Sequence, residues 1–402
     1  MRTIYFDYNA TTPLDAGVRE AMAPFLERVY GNPSSVHRVG REARAALDDA
    51  RDRVATVFKC KPSEVVFTSG GTESNNLAIF GSARLLRSKG RHVVTTQIEH
   101  HAVLHAFGYL AKHEGFEVTY LPVDSAGRVD PDAIRKAIRP DTVLVSVMAA
   151  NNEIGTVQPV AEIGSLCRER GVLFHCDAVQ AFGKLPFAHI DQFNADLVSV
   201  CAHKFHGPKG AGALFIRSPL QPHPILFGGG HETERRAGTE NLPAIIGLTE
   251  AVERFVRQPV FPADTLAHFS GKLAAAASAI DGVTLLGSLK VGRSSSLPSG
   301  ASGSGKMPAL PSHLPNTVAF TVDGSDSIAL MAALDIEGVC ASSGSACSAG
   351  SLEPSHVVLA VGQPPNRANA LVRFSLGRET TTEEVDVVCE LLPAVFRQVR
   401  CR

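Results

Sequence analysis

Seven short apolar runs between residues 60 and 255, separated by helix-like stretches, constrain this chain more than any other feature. They are "EVVFT", "RHVVTT", "FEVTYL", "TVLVSVM", "GVLFHC", "DLVSV" and "GALFI". Each is short, β-branched and nearly continuous in apolar character, the pattern of a strand covered on both faces. Amphipathic stretches such as Val160 to Arg170 and Ala102 to Glu114 lie between several of them. The alternation predicts an α/β fold with a mainly parallel seven-stranded sheet and helices on both sides.

The last third reads differently. "NTVAFTV" and "LVRFSL" read as strands, and Thr381 to Val399 as a helix with a capping box made by Thr381 and Glu384. These elements predict a smaller α+β domain, and 402 residues suffice for two domains. From Gly287 to His313, 16 of 27 residues are Ser, Gly or Pro, and the only charges are Lys290, Arg293 and Lys306. Such a segment buries too little apolar surface to offset its ordering entropy, so 287–313 is expected to be a flexible insertion.

A formal net charge of −1, with no block of like charge, gives no sign of a nucleic-acid or anionic-membrane partner. Apolar stretches such as "VLVSVMAA" are too short to span a bilayer, and "MRTIYFDYNATTPLD" lacks the apolar core of a signal peptide. The eight cysteines are Cys60, Cys167, Cys176, Cys201, Cys340, Cys347, Cys389 and Cys401. None forms a C-x-x-C pair and their density is far below that of a disulfide scaffold, so reduced thiols in a cytoplasmic protein are expected.

The chemistry gathers at strand ends. "TVLVSVMAA" runs into Asn151, Asn152 and Glu153; "GVLFHC" into Asp177 and Gln180; "DLVSVCA" into His203 and Lys204. In an open α/β sheet the carboxyl ends of the strands are where ligands bind. "VVFTSGGTESNNLAIF" adds a strand, a tight turn at Ser69 to Gly71 and a helix starting near Thr72, whose free N–H groups and dipole suit an anion. Taken alone, the stretch reads more readily as a plain capped turn, since it is neither a P-loop nor G-x-G-x-x-G. Lys204 is either surface charge or a lysine whose cationic, partly desolvated setting suits Schiff-base chemistry. A carboxylate such as Asp177 keeps a pyridinium nitrogen protonated and so keeps the ring an electron sink. Lysine, Asp-x-x-Gln and a phosphate-binding helix end together point to pyridoxal 5'-phosphate.

At this point the chain resembles the NifS/IscS-type cysteine desulfurases, fold-type I pyridoxal-phosphate enzymes of aminotransferase class V. The matching stretches run along nearly the whole chain: "FDYNATTP", "GNPSSVH", "VVFTSGGTESNNLAI", "EHHAVL", "NNEIG", "HCDAVQAFGKLP", "AHKFHGPKG", "GGGHETERRAGTEN", "ASSGSACSAGSLEPSH" and "VRFSLGR". The resemblance implies a large cofactor-binding domain over 15–260 and a small domain made by 1–14 with 261–402. It makes Lys204 the lysine that binds the cofactor, Asp177 the partner of the pyridine nitrogen and Gln180 the partner of the ring oxygen. His100 stacks on the ring and takes part in proton transfer. Gly71, Thr72 and His203 hold the phosphate, and Thr239 reaches the phosphate of the neighbouring subunit of a homodimer. Asn152 and Arg373 hold the carboxylate of L-cysteine, and for Arg373 a planar fork suits that task. Cys347 attacks the substrate sulfur as a thiolate, leaving a persulfide and L-alanine. The sulfur passes to an acceptor such as an iron–sulfur scaffold or a thiolation enzyme.

Two other readings stay open on the residues alone: a selenocysteine lyase or related β-eliminating enzyme of the same fold, and a non-catalytic sulfur-transfer scaffold. His101 and His105 could share a helix face, but no third ligand stands at a convincing spacing, and no metal is expected in the resting enzyme. Cys201 stands where the family more often has Ser, and a thiol is the weaker donor to a phosphate. Arg235 and Arg236 serve either the site or a dimer interface. The stretch "SSGSACSAGSLEPSH" around Cys347 is rich in small residues, so residues 342–352 are expected to be poorly ordered and Cys347 accessible.

Overall fold

The computed structural model describes residues 3–289, 311–344 and 353–400. Cys347 and Cys401 lie outside the described residues, as does the middle of the 287–313 segment. After a two-residue strand, β1 (Ile4–Tyr5), seven strands coincide with the seven apolar runs. These are β2 (Val65–Thr68), β3 (His92–Thr96), β4 (Glu117–Leu121), β5 (Thr142–Met148), β6 (Leu173–Asp177), β7 (Leu197–Cys201) and β8 (Gly212–Ile216). They form one sheet in the order β2-β8-β7-β6-β5-β3-β4. The sheet is mainly parallel, as the alternation implies, and only β8 runs against its neighbours β2 and β7.

Helices cover both faces because successive strand residues point to opposite sides. Val94, Val145 and Val147 pack with Leu47, Ile163 and Leu248 in one core cluster. Val93 and Leu144 pack with Ile79, Phe107 and Leu110 in another. The Val160–Arg170 helix has the predicted bounds, and the one predicted from Ala102 begins at His101. One strand departs from expectation. β4 is the edge of the sheet, and Glu117 and Tyr120 on it are exposed rather than covered.

Four further strands, β9 (Val283–Leu286), β10 (Thr317–Val322), β11 (Val339–Cys340) and β12 (Leu371–Ser375), make two small sheets. β10 sits antiparallel between β12 and β9, while β1 pairs in parallel with β11. Phe6, Phe320, Phe374, Leu392 and Phe396 share the core beneath them. The Thr382–Arg400 helix opens on the expected capping box. Thr381 N donates to Glu384 Oε2 at 3.0 Å, and Glu384 N to Thr381 Oγ1 at 3.2 Å.

Both glycine- and serine-rich stretches are tied down at their described ends. Ser312 O accepts from Val157 N at 3.0 Å and Leu314 N donates to Gly155 O at 2.8 Å, so the chain is held before residue 313. Ser342, expected to be loose, is instead buried and exchanges both backbone hydrogen bonds with Arg373, at 2.7 and 3.1 Å. A strand-like bridge overrides the small-residue composition there.

Candidate active site

Five strands bring their carboxyl ends to one edge of the sheet. β3, β5, β6 and β7 run parallel, and β2 shares their direction because β8 opposes both β2 and β7. That edge carries Ser69 to Thr72, Glu99 and His100, Asn151 to Glu153, Asp177 to Gln180, and Ala202 to Lys204.

The first of these is an anion cradle. Gly70 has φ 150°, a region open to glycine, and turns the chain into the Gly71–Leu85 helix. A Cβ on Gly71 would lie 2.8 Å from Val179 Cγ2, so the turn can sit this close to β6 only without a side chain. A pocket of about 390 Å³ opens over the helix end, lined by Thr11, Gly71, Thr72, Cys201, His203 and Lys209 among others. His203 Nδ1 lies 3.1 Å from Thr11 Oγ1. Burial, then the charges of Lys204, Lys209 and Lys184, push the His203 pKa down to about 3, so its ring is neutral. Cys201 also faces the turn, its Sγ 3.7 Å from the Cβ position of Gly70.

Next along the edge, Asp177 is buried. Asn75 Nδ2 donates to its Oδ2 at 2.7 Å and Val179 N to its Oδ1 at 3.0 Å. Burial raises its pKa against those bonds and the charge of Lys204. Among the described residues, no lysine or arginine lies within ion-pair distance of this carboxylate. Lys204 ends a single turn after β7, and its Nζ donates to Asn9 O at 2.7 Å and Ala10 O at 2.8 Å. The N-terminal segment also clamps the preceding residue, since Thr12 donates to His203 O through both N and Oγ1.

His100 caps the His101–Glu114 helix, and its Nδ1 accepts from Ala102 N at 3.1 Å. A neutral ring that accepts at Nδ1 carries its proton on Nε2. Burial first, and then the charges of Lys204 and three histidines, push its pKa down to about 4. One of those histidines is His356, whose ring centroid lies 4.8 Å from that of His101. The His101 and His105 rings are 5.0 Å apart.

Arg373, on β12, is buried in this region. Its Nη1 donates to Asn152 O at 2.8 Å and its Nη2 to Asp7 Oδ1 at 2.7 Å. Its Nε has no hydrogen-bond partner among the described residues. The guanidinium therefore has N–H groups left for an anion, while its fork is partly engaged already. Thr239 is exposed and does not line the pocket of this chain. Arg236 grips Glu73, on the cradle helix, through Nε at 2.7 Å and Nη2 at 3.2 Å. Arg235 donates to Ser63 O at 2.8 Å.

Two residues without a predicted role hold this edge together. Asn9, fully buried, accepts from Lys204 and Gln180 at its carbonyl, and from Lys184 Nζ (2.6 Å) and Asn316 Nδ2 (3.1 Å) at Oδ1. Its Nδ2 donates to Asn152 O at 3.2 Å and Thr317 Oγ1 at 2.9 Å. Lys184 also donates to Gln180 Oε1, at 2.5 Å. Both lie in quoted motifs, and the four-residue spacing of Gln180 and Lys184 was the available signal. Glu99 is a third: a buried carboxyl whose Oε2 has no partner among the described residues.

These residues fit pyridoxal 5'-phosphate. A helix-end cradle suits its phosphate, a buried carboxylate with no ion-pair partner among the described residues suits a pyridinium, and Lys204 stands just past the end of the next strand. The comparisons agree. The aminotransferase class-V pattern matches residues 4–290 and 305–388 and skips only part of the Ser/Gly/Pro-rich segment between them. Cysteine desulfurase IscS of Dictyoglomus turgidum is 43% identical over 400 residues, covering 99% of this chain and 96% of its own. The protein of the same name from Methanosarcina thermophila is also 43% identical, over 99% of this chain and 93% of its own. A solved NifS-like protein is 35% identical with a TM-score of 0.86, over 98% of this chain and 100% of that one. SspA in complex with cysteine is 35% identical with a TM-score of 0.76, over 94% and 100%. The chain belongs to the aminotransferase class-V family. It is an enzyme whose cofactor is pyridoxal 5'-phosphate.

Proposed function

We propose that the chain is a cysteine desulfurase, converting L-cysteine to L-alanine and taking the sulfur up as a persulfide on Cys347. The observation that carries the reading is the sheet edge itself. Lys204, Asp177 and the Gly71 cradle follow the carboxyl ends of β7, β6 and β2 on one edge of the sheet, and Arg373 is bonded to Asn152 within the same hydrogen-bond network. Relatives named cysteine desulfurase, at 43% identity along the whole chain, support the substrate.

Bound pyridoxal phosphate supplies an electron sink for charge developing at the substrate Cα. Gly71, Thr72 and His203 would hold its phosphate, Asp177 its pyridine nitrogen, Gln180 its ring oxygen and His100 its ring face, with Lys204 as its covalent anchor. Arg373 and Asn152 orient the substrate carboxylate. Lys204, its amine freed when the substrate amine takes its place, would take the Cα proton, and the neutral imidazole of His100 serves as a proton relay. The Cys347 thiolate attacks the sulfur of cysteine. The Cβ–S bond breaks, an S–S bond forms, and protons returned to Cβ and to Cα complete L-alanine.

The active species is a homodimer in which Thr239 of one copy reaches the phosphate site of the other; Thr239 and Phe227, which is 83% exposed, lie on the same surface loop. Residues 15–260 act as the cofactor-binding domain, and 1–14 with 261–402 as the domain that carries Cys347. The enzyme works in the cytoplasm, where thiols stay reduced, and passes sulfur to an acceptor protein for iron–sulfur assembly or thiolation. All six described cysteines are free. Among the described residues no helix is long and apolar enough to cross a membrane.

The test is alanine release from L-cysteine by wild type, Cys347→Ala and Lys204→Ala. The reading expects product from wild type alone, with the visible cofactor absorption kept in Cys347→Ala and lost in Lys204→Ala. Undiminished alanine release by Cys347→Ala would overturn it.

A further inference from the structure

Lys184 is 1% exposed and reaches no carboxylate within ion-pair distance among the described residues. Its Nζ instead donates to two neutral amide oxygens, Gln180 Oε1 and Asn9 Oδ1, and lies 5.2 Å from the centre of the Phe261 ring. Burial and the charges of Lys204 and Arg373 push its pKa well down, with Asp7 opposing them. An apolar side chain would fill this space without that penalty, so the amine is there for what it donates.

Gln180 shows what the donation does. A glutamine amide is nearly symmetric in shape, and its oxygen and nitrogen ends exchange on a half-turn. In its ammonium form a lysine Nζ carries donors and no acceptor, so it selects the oxygen. With Oε1 fixed on Lys184, the other end of the amide is the nitrogen. One Nε2 hydrogen goes to Asn9 O at 2.9 Å, and the second remains. The turn after β6 builds this pairing. Ala181 N donates to Ala178 O at 2.9 Å and Leu185 N to Ala181 O at 2.9 Å, which places residues 180 and 184 on one side.

We propose that Lys184 is a positioning residue that locks the Gln180 amide with its nitrogen toward the cofactor site, making Gln180 an obligate hydrogen-bond donor there. The inference rests on the role given to Gln180 above. In it Asn9 has a shared part, since its Oδ1 holds Lys184 and its carbonyl holds both Gln180 and Lys204. A hydrogen bond from Gln180 to the ring oxygen stabilises that oxygen's deprotonated form, so the lock sets the pH at which the bound cofactor changes colour.

The experiment is a spectral pH titration of purified holoenzyme for wild type, Lys184→Met, Gln180→Leu and the double variant. Lys184→Met is expected to raise the midpoint by about one pH unit, the size of a lost hydrogen bond to a charged form. Gln180→Leu should do the same, and the double variant should move no further than Gln180→Leu alone. An unmoved Gln180→Leu midpoint overturns the role of Gln180. A shifted Gln180→Leu midpoint beside an unmoved Lys184→Met midpoint overturns the lock, as do additive shifts. If Lys184→Met gives no soluble holoenzyme, Lys184→Leu, which also removes the donor, enters the same cycle. Loss of soluble protein in both variants overturns the proposal and leaves Lys184 a structural peg.

Discussion

Arg373 and Asn152, both predicted to bind one carboxylate, are bonded to each other: Arg373 Nη1 donates to Asn152 O at 2.8 Å. With Nη2 on Asp7, the guanidinium plane is fixed before any substrate arrives. A lysine keeps the charge but cannot hold two partners in one plane and still face a third. Arg373→Lys is therefore expected to raise KM for L-cysteine by about 10- to 100-fold, the worth of one charged hydrogen bond. The kcat should fall less. Initial rates of alanine formation against cysteine concentration decide it, and an unchanged KM would remove Arg373 from the substrate site.

Cys201 bears on the cofactor rather than the substrate. Cys201 lines the pocket over the Gly71 turn, and its Sγ lies near the backbone N–H groups of Gly71 and His203 and 3.8 Å from Ala211 O. A hydroxyl in its place is the better donor to a phosphate oxygen. Cys201→Ser is expected to tighten pyridoxal-phosphate binding by about fivefold, a net gain near 1 kcal/mol for one hydrogen bond. Titrating the apoenzyme with cofactor while following absorbance measures this. Equal or weaker binding would mean that the side chain at 201 does not reach the phosphate.

Glu99 gives a pH signature of its own. Burial pushes its pKa up to about 8, against hydrogen bonds from Thr96 Oγ1 at 2.6 Å and Met148 N at 3.1 Å. The folded pKa lies above the unfolded value of 4.5, so the fold favours the protonated acid. That stability is fully present below about pH 4.5 and is lost as pH rises through about 8. Each pH unit inside the window costs about 1.4 kcal/mol. Glu99→Gln mimics the protonated form and should flatten this decline. Urea unfolding at a series of pH values from acid to alkaline compares the two slopes. Parallel curves would show that Glu99 is ionised in the folded protein.

The strands were legible because burial on both faces demands unbroken apolar runs, and each run became a strand. The direction of β8 was not, because "GALFI" reads the same either way and only its partners reveal that it is antiparallel. Asp177 and Lys204 stood out as polar residues at the ends of apolar strands. Asn9 did not, since its meaning lies in bonds to distant partners, and Lys184 did not, since its spacing from Gln180 says nothing of its bond to Asn9. Asn9 meets Gln180 across 171 positions and Thr317 across 308. Glu99 beside two histidines looks like a solvated charge in sequence, and only the fold makes it a buried acid, bonded by Thr96 Oγ1 and Met148 N. Ser342 misled in the other direction, because its bridge to Arg373 is a long-range pairing that composition does not report. The expected accessibility of Cys347 concerns a position outside the described residues.

Thr239 gives the sharpest test of shared sites. It is exposed in the single chain and does not line the pocket over the Gly71 turn, as expected of a residue that serves a second copy. If each site takes Lys204 from one copy and Thr239 from the other, two damaged variants can complement. In a mixed dimer of Lys204→Ala and Thr239→Ala chains, one site carries both lesions and the other carries neither. Unfolding and refolding the two variants together should then give more alanine formation than the mean of the two refolded separately. A mixture that matches the mean would place Thr239 in the site of its own chain or in none.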